Sequence, residues 1–76
     1  MITYWKLDTQ WTRLDEDNAI AVYLVNTDKS WFVYRTVLTP SELLSMKSTL
    51  EIQADVITEI EFNGRLNDAQ LAVANL

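Results

Sequence analysis

A chain of 76 residues has room for a single domain, over residues 1–76, and no second one. It contains neither cysteine nor histidine. That excludes disulfides and thiolate metal sites, and removes the commonest general base and transition-metal ligand at neutral pH. The net charge is −5, and the six basic residues (Lys6, Arg13, Lys29, Arg35, Lys47 and Arg65) are scattered. This argues against direct binding to a nucleic-acid backbone.

At this length only about 60% of the unfolded chain's surface can be buried, so stability must come from apolar packing within the chain or between chains. The apolar fraction is 49%, with one Gly and one Pro, which speaks against disorder. The longest apolar stretch, Ala19 to Val25, falls well short of the roughly 20 residues that span a bilayer. No basic segment followed by an apolar one opens the chain in the manner of a signal peptide. Membrane insertion is therefore not expected, and the cytoplasm is the expected compartment.

Ile2 to Leu7 is rich in β-branched and aromatic residues and reads as an opening strand. Asp8 to Asn18 carries Trp11 and Leu14 within a polar stretch. It reads as a connection holding either one helical turn or a short second strand. Ala19 to Val25 and Trp31 to Leu38 are strand-like runs joined by Asn26-Thr27-Asp28-Lys29-Ser30, and together predict a β-hairpin. Thr39-Pro40-Ser41-Glu42 is a helix start: Thr39 can cap, Pro40 suits the first helical position, and Glu42 can complete a capping box. Leu38 and Leu43 are spaced for a hydrophobic staple, and the helix is expected to run to about Leu50, at most to Gln53.

Asp55 to Phe62 alternates: Val56, Thr58, Ile60 and Phe62 fall on one side, Asp55, Ile57, Glu59 and Glu61 on the other. That pattern predicts a strand, ended by an Asn63-Gly64 turn. Asn67 or Asp68 would then cap a short last helix through Ala74, anchored by Leu71. The expected fold is α+β, a small antiparallel-rich sheet in β-β-β-α-β-α order with helices packed on one face.

Catalytic arrangements are not evident. Glu59 and Glu61 share a strand face in this reading, but no apolar cleft is implied that would raise one carboxyl's pKa. Asp15-Glu16-Asp17-Asn18 lacks the glycine and the later bidentate Glu of a calcium loop. No serine lies in a G-x-S-x-G turn, and Gly64 stands alone, so neither a nucleophile elbow nor a phosphate-cradling loop is present. The expectation is a non-enzymatic protein without cofactor or metal.

The aromatic residues stand out: three Trp, three Tyr and two Phe in so short a chain. In the central hairpin both faces of both strands are apolar. A sheet with helices on one side would leave the other to a terminal helix, a second copy or another protein. Trp and Tyr are the types most enriched at binding hot spots. Trp5, Trp11, Tyr23, Trp31 and Tyr34 are accordingly the candidate binding residues. The expected function is a small acidic interaction protein, a homodimer or partner-binding chain acting as an accessory or inhibitory protein. The alternative is a small-ligand binder with an aromatic pocket between sheet and helix.

Overall fold

The computed structural model describes residues 1–28 and 30–74; Lys29, in the expected hairpin loop, lies outside them, and side chains are described through Leu71. The elements in chain order are β1 (Ile2–Leu7), β2 (Gln10–Asp15), β3 (Ile20–Asn26), β4 (Trp31–Val37), α1 (Pro40–Gln53), β5 (Asp55–Val56) and α2 (Glu59–Ala74). The five strands form one sheet in the order β4-β3-β2-β1-β5, every neighbouring pair antiparallel. The fold is α+β, as the composition of elements predicts.

The stretch after Asp8 resolves into the second of its two alternatives. Gln10 to Asp15 is a strand, and it occupies the centre of the sheet. Leu7 pairs with Gln10 across a two-residue turn in which Asp8 takes φ 52, a conformation short polar side chains tolerate. Its polar residues disguise it. Thr12 and Asp15 are buried because the strand has a neighbour on each side and a helix over each face. Asp15 accepts hydrogen bonds from the backbone N–H and the Nδ2 of Asn18 (3.3 and 2.8 Å), which orders the turn into β3 and holds its carboxyl below the usual range.

The hairpin β3–β4 forms where expected, with Ile20 opposite Val37 and Asn26 opposite Trp31. The start of α1 also forms as expected. Glu42 N–H donates to Thr39 Oγ1 (3.2 Å) and Thr39 N–H to Glu42 Oε1 (2.9 Å), a complete capping box with Pro40 at the first helical turn. Leu38 and Leu43 join the same core cluster, as a staple requires.

The alternating segment is different. Only Asp55 and Val56 are strand, and α2 begins at Glu59. The reason is a second cap. Thr58 Oγ1 accepts from Glu61 N–H (3.1 Å), Phe62 N–H donates to Thr58 O (3.1 Å), and Glu59 and Glu61 place negative charge at the positive end of the helix. Phe62, Leu66 and Ala69, spaced by four and three, are the side turned inward. Asn63 and Gly64 are therefore inside a helix rather than at a turn. Leu71, expected as the anchor, is exposed.

The earlier start of α2 also corrects the layering. Two core clusters lie on opposite faces of the sheet. Trp5, Leu14 and Ala21 pack with Leu38 and with Leu43, Met46 and Leu50 of α1. Trp11 and Leu24 pack with Tyr4, Val22 and Trp31 and with Phe62, Leu66 and Ala69 of α2. Since neighbours along a strand point to opposite faces, Tyr4 and Trp5 mark the two sides. The helices thus cover both faces of the sheet, where the expectation placed them on one. A sixteen-residue helix can shield a face that a short terminal segment could not.

Candidate interaction surface

The five aromatic residues singled out in the sequence divide by burial. Trp5 is only 8% exposed, and its Nε1 donates to Thr3 Oγ1 (2.9 Å), so it belongs to the core beneath α1. Trp11 is 7% exposed in the core beneath α2. Its ring packs against Trp31 (centroids 5.4 Å apart, tilted by 36°) and is approached by Lys6 Nζ at 5.9 Å and Arg65 Cζ at 5.6 Å. These cations interact with the ring quadrupole and tie β1 and α2 to the central strand. Trp31 is half-buried at the outer end of that cluster.

Tyr23 and Tyr34 are cross-strand partners on the α1 side, but their surroundings differ. Tyr23 is half-buried, and its hydroxyl donates to Met46 Sδ (3.3 Å). Burial, helped by the Glu42 carboxylate, pushes its phenol pKa up. It lines a cavity of about 630 Å³ between α1 and the sheet. Gln10, Thr12 and Thr36 share the floor, and Ser41, Ser45 and Thr49, four residues apart on α1, set a row of hydroxyls along the wall. Leu7, Leu38 and Leu50 supply apolar surface.

Tyr34 is exposed, and it is not alone. Phe32, Val33, Tyr34 and Val37 of β4 are 42, 45, 52 and 68% exposed. Phe32 and Tyr34 stack on the α1 face (centroids 6.2 Å, 15° between planes), whereas Val33 and Val37 alternate onto the α2 face. Of the five residues named from the sequence, Tyr34 is the one on this exposed edge, and Phe32, Val33 and Val37, which share it, were not among them. The available signal was the order of elements: β4 ends the run of meandering strands, so it is a sheet edge unless a later strand adds to it. The later strand β5 adds to β1 instead.

Among the described residues no group of three or more metal-ligating side chains converges, and no helix is long and apolar enough to cross a membrane. No protein-family model, curated protein or solved structure matches the chain.

Proposed function

We propose that this chain is a non-enzymatic interaction protein, a homodimer that serves an accessory or inhibitory role by presenting one surface to other proteins. The single observation that carries the reading is β4, a seven-residue edge strand with four large apolar side chains in solvent. Long apolar edges of this sort invite pairing with another chain, and proteins that act alone blunt them with charge, proline or bulges. In β4 the only charged residue is Arg35 and there is no proline. The lack of His and Cys supports a role without catalysis, and a cysteine-free acidic chain suits the cytoplasm. Light scattering coupled to size exclusion, over a dilution series, tests the reading. A mass near twice 8.8 kDa is expected; a monomer at every concentration removes the homodimer.

The cavity beneath α1 favours a second reading, a small-ligand binder. A volume of about 630 Å³, lined by both hydroxyls and leucines, is within the range of small-molecule sites. A ligand that binds the native state raises the melting temperature with its concentration. A thermal-shift panel of planar apolar compounds and nucleosides separates the readings, and uniformly flat responses remove this one.

A further inference from the structure

The hydrogen-bond pattern of the β3–β4 hairpin determines which backbone groups of β4 face outward. Leu38 N–H donates to Ala19 O (2.7 Å) at one end of the ladder, and Thr27 N–H to Ser30 O (2.9 Å) at the other. In an antiparallel pair the bonded residues alternate. Both ends agree that Phe32, Tyr34 and Thr36 turn their N–H and C=O toward β3. Trp31, Val33, Arg35 and Val37 therefore point theirs away from the sheet, and among the described residues no other strand covers them. The opposite edge is unlike this one: β5 pairs with Trp5 and Lys6, and Ile57 N–H closes on Tyr4 O (3.0 Å).

A strand with this pattern is complementary to itself. If two copies meet antiparallel about a two-fold axis at Tyr34, Val33 faces Arg35 of the other copy and Trp31 faces Val37. All four outward residues of each strand are then used, which makes eight hydrogen bonds. Centring on Val33 or Arg35 leaves one outward residue of each strand unpaired, and centring on Arg35 also sets like charges directly opposite. The Tyr34 register avoids both penalties. It brings the two Tyr34 rings face to face on the α1 side, each already stacked on Phe32, and covers Val33 and Val37 on the α2 side.

Resting on the homodimer reading above, we infer that the partner at the β4 edge is a second copy of this chain, paired antiparallel with Tyr34 opposite Tyr34. The dimer is a continuous ten-stranded sheet, built from two five-stranded ones. Thr36, which lines each cavity, stands opposite Phe32 of the other copy in this register.

Cysteine placement tests the register, because the chain has no cysteine of its own. Residues opposite each other in a non-bonded antiparallel pair have Cα atoms about 4.5 Å apart, close enough for a disulfide. Under mild oxidation Tyr34→Cys is expected to give a covalent dimer, and Phe32→Cys alone is not. Its two copies would stand four positions out of register, roughly 13 Å apart. Mixing Phe32→Cys with Thr36→Cys should restore cross-linking. Val33→Pro removes an outward N–H while sparing the ladder to β3, so it should keep the far-UV spectrum and weaken dimerisation at least tenfold. If wild type is dimeric but Tyr34→Cys cross-links no better than Phe32→Cys, the register is overturned and the homodimer stands. A wild type that is monomeric throughout overturns both.

Discussion

Gly64 sits at the sixth residue of α2, with exposed Asn63 and Arg65 on either side. It does not have a positive φ, and a Cβ built on it meets nothing within 4 Å. Nothing in the folded state therefore requires glycine there. In an exposed helix interior glycine is about 0.8–1.0 kcal/mol less favourable than alanine, chiefly because it loses more backbone freedom on folding. Gly64→Ala is expected to stabilise the protein by close to that amount. For a domain of this size 1 kcal/mol corresponds to roughly 4–8 °C in melting temperature. The assay is a thermal melt at fixed protein concentration, since self-association would otherwise shift the midpoint. A urea titration should show a higher midpoint and an unchanged slope. The opposite result refutes the reasoning. In an Asn-Gly turn the glycine would hold a positive φ, where alanine costs about 1–2 kcal/mol. A fall in melting temperature would thus mean that the helix starts after Gly64.

The two helix starts are tested in the same way: Thr39→Ala and Thr58→Ala should each cost roughly 0.5–2 kcal/mol in a urea melt. An unchanged midpoint in either would remove that cap. Phe62 is 1% exposed and packs against Tyr4 (centroids 5.4 Å, tilted by 48°), so Phe62→Ala should cost about 3–5 kcal/mol and leave little cooperative unfolding. A sharp, near-normal melt for that variant would mean α2 does not pack there. Acid should destabilise the fold by a definite route. Hydrogen bonds from Thr39 hold the Glu42 carboxyl below its ordinary 4.5, and those from Asn18 hold Asp15 below 3.8. A depressed folded-state pKa contributes stability that is present above the unfolded value and lost as pH falls through the folded one. Stability should therefore drop as pH falls below about 4.5, and Glu42→Gln should flatten the upper part of that drop. An acid titration identical to wild type in slope would disprove the role of Glu42.

Several parts of this protein were legible in the residues themselves because the forces that make them are local. Thr39, Pro40 and Glu42 cap their own helix within four positions. The β3–β4 hairpin is announced by two apolar runs around a polar loop. The absence of His and Cys limits the chemistry whatever the fold. Where local signals conflict, they mislead. Asp55 to Phe62 fits a two-residue period, yet Thr58 to Glu61 carries the same capping pattern as Thr39 to Glu42, and the cap wins. Strand pairing leaves β5 only two residues against β1, whereas the helix gives Phe62 a buried place against Tyr4.

The candidate surface was half legible for a similar reason. Residue type alone nominated Trp5, Trp11, Tyr23, Trp31 and Tyr34, but type does not report depth. Trp5 and Trp11 are buried because β1 and β2 lie inside the sheet with a helix over each face. Tyr34 and its neighbours Phe32, Val33 and Val37 are exposed because β4 ends it. Composition and local spacing determined that the chain folds on apolar packing, without disulfide or histidine chemistry, and where its hairpin and first helix lie. The tertiary structure alone decided that a polar-looking strand is central, that α2 covers the second face, and which edge stays open. Burial and strand order depend on contacts between residues far apart in the chain, and no local pattern records them.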